Sequence, residues 1–238
     1  MARVAIVKVP SNFSVEKAHA AQLELSKKIV RKNVLPEKIH YIAGVDVAYT
    51  EGFSIGAVAV LDYDSLSLKE SKIAICKTLF PYIPTLLSFR EIPPVVSALR
   101  RLELNPDVFL VDGQGIMHPY RLGFASHLGL IIAKSTIGVA KSRLCGEVQE
   151  FTKDGWAPIL DKEEVLGAAV ATKKERSPVY VSVGNMISLA TAIAIVKYCT
   201  KKYAIPEPTR QAHLIANEEK RKMQNMLSYK ESYEDGDI

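Results

Sequence analysis

The spacing of apolar and polar residues changes after the first thirty positions of the chain. Apolar side chains recur at loosely helical spacing over residues 14–32, with Ser14 as a candidate N-cap, which predicts an amphipathic helix. Three mostly apolar segments follow, separated by short turn-like stretches, at residues 39–49, 54–63 and 72–80. Short segments joined by tight turns predict three antiparallel strands in a meander.

Helical and strand patterns alternate in the rest of the chain. Pro93 and Pro94 suit the first turn of a helix that runs to about Leu104. Further helices are predicted at residues 119–134, 188–202 and 208–224, and strands at 106–113, 136–142, 167–174 and 178–185. This order predicts an α/β fold in which a mixed central sheet, including the antiparallel meander, carries helices on both faces.

The composition is that of a globular protein with a substantial core. Of the 238 residues, 48% are hydrophobic, and no stretch of eighteen apolar residues occurs. The N-terminus lacks the features of a signal peptide, so we expect a cytoplasmic protein without membrane segments. We expect residues 1–227 to form one domain and the acidic segment 228–238 to be a disordered tail.

Charge and cysteine content narrow the function only slightly. Cys76, Cys145 and Cys199 are too few and too far apart to suggest a disulfide framework or a Cys-x-x-Cys metal site. The net charge is +5, and the last eight residues contain four acids and no base, so the body of the chain is more basic. This surplus is compatible with binding to phosphate backbones, although it fits ordinary solubility equally well.

Two aspartates occupy unusual positions in predicted strands. Asp46 lies within "AGVDVAY", and Asp112 ends the apolar strand "VFLV" directly before a Gly-Gln-Gly turn. Either residue alone is adequately explained as a capped or hydrogen-bonded aspartate. If the two strands are neighbours, the like charges need a proton, a cationic side chain or a metal ion, and carboxylate oxygens suit Mg²⁺ or Mn²⁺.

Three further residues are candidates for a role beside these carboxylates. Glu91 lies near the predicted start of a helix, where it either complements the helix dipole or joins the aspartates. Lys141 follows an apolar strand, so its ammonium group either extends into solvent or faces a phosphate or the carboxylates. His213 lies one turn into the last helix, where a packing role is as plausible as a ligand or proton-shuttle role.

Other motifs point to nucleic-acid contacts. His118 and His127 lack the spacing of a helical zinc pair, and we expect them to support the metal ligands or to contact phosphate. The stretch "PYIP" stiffens a loop around Tyr82, which suits either a wedge inserted between stacked bases or a turn that covers the core. The chain contains no complete G-x-G-x-x-G motif, no P-loop and no G-x-S-x-G motif, which disfavours nucleotide cofactors and serine hydrolysis.

Five segments, in this order and spacing, resemble the endonuclease V family of deoxyinosine-directed repair nucleases. They extend from about Ile42 to Asn217 and read "GVDVAY", "PYIPTLLSFRE", "DGQGIMHPYRLGFASHLG", "GVAKSRL" and "EPTRQAH". The resemblance implies an RNase H-like fold that begins with the meander. It also implies hydrolysis of the second phosphodiester bond on the 3′ side of a deaminated adenine, with Mg²⁺ as cofactor and Mn²⁺ as a substitute.

The resemblance further implies roles for single residues. Asp46, Asp112 and Glu91 match the family's metal-binding acids, Lys141 its catalytic-site lysine, and His213 a histidine near the metal. The implied wedge consists of Pro81, Tyr82, Ile83 and Pro84. The implied lesion pocket is formed by Leu87, Gly115, Gly123 and Phe124. Supporting or phosphate contacts are expected from Arg90, His118 and His127.

The expected partner is damaged DNA, single- or double-stranded, and inosine-containing RNA stays open as a second substrate. A different RNase H-like nuclease, such as a junction resolvase, is an alternative enzyme because it would also carry acidic strands and bind metal. A non-catalytic nucleic-acid binding module, whose acids are structural, is the alternative outside enzymes. We expect a monomer, and the number of metal ions stays undecided.

Overall fold

The predicted meander forms one side of a large sheet. The computed structural model describes residues 13–173 and 176–234, and side chains as far as Ser228. Strands β1 (Tyr41–Thr50), β2 (Phe53–Asp62) and β3 (Leu68–Lys77) are antiparallel neighbours joined by short turns. β1 and β2 are buried on both faces, which accounts for their nearly continuous runs of β-branched and small apolar residues.

Six further strands extend the sheet beyond β1. They are β4 (Val108–Asp112), β5 (Ser135–Ala140), β6 (Glu147–Val148), β7 (Trp156–Asp161), β8 (Glu164–Val170) and β9 (Val179–Asn185). The order across the sheet is β3-β2-β1-β4-β5-β9-β8-β7-β6. The pairs β1–β4 and β4–β5 are parallel and the others are antiparallel, so the predicted mixed sheet is confirmed.

Helices cover both faces of this sheet. Helices α2 (Leu87–Leu99) and α3 (Phe124–Ile132) pack on one face, over a core that includes Val45, Val58 and Val111. Helices α4 (Leu189–Cys199) and α5 (Glu207–Glu234) pack on the other face. Helix α1 (Val15–Ser26) precedes the sheet. Within the described residues, none of the helices has the length and apolarity needed to cross a membrane.

Several element boundaries differ from the prediction. Helix α1 ends at Ser26 because the following chain pairs with the end of β9: the Val30 amide donates to Asn185 Oδ1 over 3.0 Å. The predicted helix 119–134 begins only at Phe124, since Arg121 adopts a left-handed φ of 54°. Strands β6 and β7 were not predicted at all.

The C-terminal helix is also longer than expected. α5 continues to Glu234, through part of the segment for which disorder was expected, and residues 235–238 lie outside the described part. The N-terminal stretch on which the signal-peptide prediction rests lies outside it as well, as does Lys174 at the end of one predicted strand.

Helix α2 departs from the prediction in a way that matters for the site. It begins at Leu87, so Pro93 and Pro94 lie in its interior instead of its first turn. The helix persists although two amide donors are lost, because residues 88, 91, 95 and 98 form one buried stripe at helical spacing. Glu91 is therefore part of the buried face of the helix and not a charge at its N-terminus.

A glycine on β1 sets the distance between α5 and the sheet. A Cβ atom built on Gly44 would lie 1.8 Å from the carbonyl oxygen of Pro208, in the first turn of α5. Backbone atoms cannot yield at this distance, so only glycine allows the helix to pack this closely. The contact brings the next turn of α5, which carries His213, beside Asp46, two residues beyond Gly44 on the same face of β1.

We predict that Gly44→Ala lowers the free energy of unfolding by at least about 3 kcal/mol, because the methyl group overlaps helix backbone. Gly155→Ala is the control: its Cβ would meet no atom within 4 Å, so only its left-handed φ of 71° costs about 1 kcal/mol. Equilibrium denaturant unfolding measures both variants. Equal losses in the two would show that α5 does not depend on the contact at Gly44.

Candidate active site

The two aspartates singled out in the sequence occupy matching positions on neighbouring parallel strands. In the β1–β4 ladder Val45 is paired with Val111. Asp46 follows Val45 in β1, and Asp112 follows Val111 in β4. The same register places both side chains on the same side of the sheet. β4 ends at Asp112, so the pair lies at the carboxyl edge of the parallel strands, where α/β sheets commonly bind ligands.

His213 joins the two aspartates from α5. Its Nδ1 atom lies 2.7 Å from Oδ2 of Asp46, and the Asn217 amide nitrogen lies 3.3 Å from each ring nitrogen. One ligand atom each from Asp46, Asp112 and His213 falls within 4.8 Å of the other two. Two carboxylates and one imidazole at this separation can hold a divalent cation.

Glu91, on α2, lies near enough for the charges of Asp46 and Asp112 to act on it, but it does not belong to the set of ligand atoms that lie within 4.8 Å of one another. Its Oε1 atom accepts a hydrogen bond of 3.2 Å from the Tyr49 hydroxyl, whereas its Oε2 atom is buried without a hydrogen-bond partner among the described residues. Burial, followed by the negative charge of Asp46, raises the pKa of Glu91 well above its usual value. An unsatisfied buried carboxylate oxygen beside two aspartates is the feature expected where a cation belongs.

The site carries more negative than positive charge. Lys141, just beyond β5, places Nζ 3.0 Å from Oδ2 of Asp112, and its side chain is 57% exposed. Burial, followed by the charge of Asp112, raises the pKa of Asp46 from 3.8 to about 6. A single exposed ammonium group does not compensate three clustered carboxyl groups, so the donor set fits an added divalent cation.

Asp46, Asp112 and Glu91 together form the carboxylate cluster. A cavity of about 320 Å³ opens between α2 and α3 and shares a wall with this cluster. This α2–α3 cavity is lined by the predicted residues Tyr82, Leu87, His118, Gly123 and Phe124. The shared wall consists of Asp112 and Lys141. A ligand in the cavity would therefore lie directly beside the candidate metal ligands.

Gly115 lies behind the wall of the cavity, not in its lining as predicted. Its amide donates to Ser182 Oγ over 2.8 Å, and its carbonyl accepts from the Gly123 amide over 3.0 Å. A Cβ atom at Gly115 would lie 2.1 Å from the Val183 carbonyl oxygen. The glycine therefore allows the loop after β4 to lie flat against β9 and fixes the start of α3.

The predicted wedge loop projects beside the opening of the cavity. Tyr82 is 64% exposed and Leu79 is 77% exposed, although both side chains are large and apolar. Pro81, Ile83 and Pro84 are partly or fully exposed, and Thr85 closes the loop with a φ of 71°. The alternative in which Tyr82 covers the core does not apply, since most of its surface faces solvent.

The two histidines of the "DGQG" segment have different surroundings. His118 is buried in the cavity wall, and burial lowers its pKa to about 4, so the ring is neutral at pH 7. His127 lies between the helices, 3.0 Å from Ser88 Oγ and edge-on to Phe89, and burial also lowers its pKa to about 4. His127 does not line the cavity, which favours a packing role for it.

Arg90 lies behind the carboxylates. Its guanidinium group stacks on the ring of Tyr49 at 4.0 Å from the ring centroid, and Tyr49 in turn donates to Glu91. The ring of Tyr49 thus lies between the positive charge of Arg90 and the Glu91 carboxyl group. This placement fits the predicted supporting contact rather than direct contact with a phosphate.

Comparison with known proteins assigns the chain to a family. The family model of endonuclease V matches residues 23–214. The chain belongs to the endonuclease V family. The endonuclease V of Thermofilum pendens is 47% identical over 210 residues, which cover 88% of this chain and 90% of that protein. The predicted resemblance is confirmed, and a nuclease is favoured over a non-catalytic binding module.

Solved endonuclease V structures share the fold. The structure from Streptomyces avermitilis has a TM-score of 0.83 at 35% identity and covers 92% of this chain and 99% of its own. The Ciona intestinalis enzyme, in complex with a 24mer DNA containing an inosine followed by a ribo-adenosine, has a TM-score of 0.78 at 32% identity. The match covers 88% of this chain and 98% of that one.

Sequence reasoning missed the residue that ties α1 to the site. Gln22 is fully buried, and its Nε2 atom donates to the Thr85 carbonyl over 2.8 Å and to the Leu122 carbonyl over 3.2 Å. One side chain therefore joins the wedge loop to the loop before α3. His19, one turn earlier, lies 2.8 Å from Thr85 Oγ1. The available signal was a polar residue at i+4 from Ala18, on the buried stripe of α1.

We predict that Gln22→Leu lowers the free energy of unfolding by about 2 kcal/mol, because two carbonyl groups lose their buried donor. Amide hydrogen exchange should also accelerate in residues 79–86, which the glutamine restrains. Leu23→Ala, at the 45% exposed neighbouring position, is the control and should leave exchange in this loop unchanged. Unaltered exchange in Gln22→Leu would show that the loop is ordered without the glutamine.

We predict a pH-dependent stabilisation by divalent cations. The raised pKa of Asp46 favours the folded state when the residue is protonated, and this contribution is lost as the pH rises from about 4 through about 6. At neutral pH and without metal, the raised pKa of Asp46 therefore lowers the free energy of unfolding by roughly 3 kcal/mol relative to acidic pH. A bound cation favours the ionised form, so Mg²⁺ or Mn²⁺ should raise the melting temperature much more at pH 7.5 than at pH 5.

Thermal unfolding with EDTA or with metal, at both pH values, measures this effect. Asp46→Asn should remove most of the metal-dependent increase and its pH dependence, whereas Asp64→Asn, at an exposed position, should retain both. A metal-dependent increase of equal size in wild type and Asp46→Asn would contradict the assignment of Asp46 as a ligand.

Proposed function

We propose that the protein is a metal-dependent DNA repair endonuclease that recognises deoxyinosine. It hydrolyses the second phosphodiester bond on the 3′ side of the lesion and leaves 3′-hydroxyl and 5′-phosphate ends. Asp112 and Lys141 carry this proposal, because Asp112 belongs to the carboxylate cluster, Lys141 is paired with it over 3.0 Å, and both residues line the α2–α3 cavity. A base in the cavity places nearby phosphates within reach of the candidate metal ligands.

The cavity is suited to a base that has left the helix. A volume of about 320 Å³ lies at the lower end of the range for small-ligand sites, and the walls are mainly apolar side chains and backbone. His118 is neutral, and its ring is held by the Tyr120 amide, which donates to Nδ1 over 3.2 Å, and by the Thr85 backbone, so it contributes a fixed uncharged surface. Gln114 adds a buried Oε1 atom without a hydrogen-bond partner among the described residues. This Gln114 oxygen can accept a hydrogen bond from the edge of a purine.

The wedge loop supplies the complementary function. Tyr82 lines the cavity and exposes a large apolar surface, Leu79 is exposed three residues earlier in the chain, and Gln22 and His19 hold the loop through Thr85. An exposed side chain on a restrained loop can enter the gap that an everted base leaves in the stack. Inosine pairs less stably than the bases it replaces, so its eversion costs less free energy.

The carboxylate cluster and its neighbours then act on the backbone. Asp46, Asp112 and Glu91 would hold Mg²⁺, or Mn²⁺ in its place, and a bound ion of this kind stabilises charge on a phosphate and activates water. The exposed ammonium group of Lys141 offsets negative charge at the phosphate. His213, oriented by Asp46 and Asn217, is placed to hold a proton or to orient the attacking water. The oxygen of the attacking water bonds to phosphorus as the P–O3′ bond breaks, the water gives up a proton, and the leaving 3′ oxygen takes one up.

We predict that a labelled duplex with one inosine is nicked one nucleotide beyond the lesion, and that the same duplex without inosine is not. EDTA should abolish nicking. Asp112→Asn should slow it by roughly three orders of magnitude, the effect of losing about 4 kcal/mol of transition-state stabilisation. Asp64→Asn, which removes one exposed carboxylate elsewhere, should act like wild type.

The outcomes of this experiment are distinct. Equal cutting of both duplexes would reject recognition of the lesion, and an unchanged rate in Asp112→Asn would reject its role in metal binding. Parallel substrates with deoxyribose or ribose at and after the inosine test whether RNA is cleaved as well. The hybrid strand bound by the Ciona intestinalis relative makes the ribose at the position after inosine the informative one.

A further inference from the structure

A second concave surface lies on the opposite face of the sheet from the α2–α3 cavity. This basic groove, of about 610 Å³, is formed by the connection between β8 and β9, the connection between α4 and α5, and the start of α5. Its walls include Lys173, Arg176, Lys202, Tyr203, Arg210 and Leu214. None of these residues belongs to the site described above.

The groove has a positive charge that is not compensated within the described residues. Arg210 is paired with Glu207 over 2.5 and 2.8 Å, so these two charges cancel. Lys173, Arg176 and Lys202 form no ion pair within the described residues. Three cations facing one concave surface attract a polyanion.

An aromatic side chain lies among these charges. Tyr203 is 44% exposed, and the guanidinium carbon of Arg210 lies 4.4 Å from its ring centroid. Glu207 fixes Arg210, and Arg210 in turn fixes the ring. The ammonium group of Lys202 lies 5.7 Å from the same centroid. A partly exposed ring bordered by cations is typical of surfaces that follow a nucleic-acid strand.

The groove lies close to the carboxylate cluster. A narrow cleft lined by Asp112, Lys141, Thr209 and Ile205 lies beside the cluster, and Ile205 also lines the basic groove. The α2–α3 cavity reaches the same Asp112 and Lys141 from the other face of the sheet. The cavity, the cluster and the groove therefore follow one another across the carboxyl edge of the sheet.

We propose that the basic groove binds the phosphate backbone of the cleaved strand on the 3′ side of the scissile bond. This inference rests on the proposed function, which places the everted base in the α2–α3 cavity and the scissile phosphate at the cluster. A strand that passes from the cavity to the cluster enters the groove as it continues in its 3′ direction. Lys173, Arg176 and Lys202 then neutralise consecutive phosphates.

The test uses single-stranded inosine DNA with the segment 3′ of the lesion either extended by roughly ten nucleotides or cut back to just beyond the scissile bond. Single-turnover nicking at increasing enzyme concentration separates half-saturation, which reports binding, from the maximal rate, which reports the chemical step. The variant Lys173→Ala/Arg176→Ala/Lys202→Ala is compared with Lys38→Ala/Lys69→Ala/Arg100→Ala. The control removes the same charges at exposed positions near the other end of the strands.

For wild type and control, the long 3′ segment should lower the half-saturating concentration by at least about tenfold, since about three phosphate contacts are added. The groove variant should bind the long substrate no better than the short one, with an unchanged maximal rate. For the long substrate, the slope of the logarithm of the binding constant against the logarithm of the salt concentration should be smaller by about 2 in the groove variant than in wild type. Lengthening the 5′ segment should affect all three proteins equally.

A groove variant that still gains from the 3′ segment, or loses its gain from the 5′ segment instead, would overturn this proposal. Failure of the proposed function is recognised separately, since wild type would then cut inosine-free DNA as well. If the groove variant still prefers inosine but no longer binds the long 3′ substrate more tightly, the result supports both the proposed function and the role of the basic groove. Preference for inosine with an undiminished 3′ effect rejects the groove alone.

Discussion

The site depends on holding three carboxyl groups close together against their mutual repulsion. Asp46 and Asp112 are fixed by the register of two parallel strands, and Glu91 by its place in the buried stripe of α2. None of the three can move away without disturbing the packing that holds it. The rigid sheet therefore maintains a charge imbalance that isolated side chains would relieve, and the imbalance creates affinity for a divalent cation.

The groups around this cluster follow from how closely the helices approach the sheet. Gly44 allows α5 to pack so tightly that His213 contacts Asp46, and the buried face of α2 directs Glu91 inward. Both helices flank the carboxyl edge at which β4 ends, one on each face of the sheet. The surface proposed for the everted base and the narrow cleft beside the surface proposed for the outgoing strand thus share Asp112 and Lys141.

The fold and the acidic pair could be predicted from sequence because their signals are local. Strand patterns and the misplaced Asp46 and Asp112 are visible in short windows, and the meander and mixed sheet were predicted correctly. The interior prolines of α2 and the short strands β6 and β7 were missed, because tertiary packing overrides local propensity there. Gln22 was missed because its importance lies in two carbonyl groups far away in the chain.

The wide spacing of the cluster along the chain has a consequence for biosynthesis. Asp46 and His213 are 167 residues apart in sequence, and the helix that carries the histidine is the last one of the described fold. A polypeptide emerging from the ribosome cannot assemble the complete site until nearly all of this fold has been translated. Prematurely terminated chains that lack α5 would consequently lack the histidine that contacts Asp46.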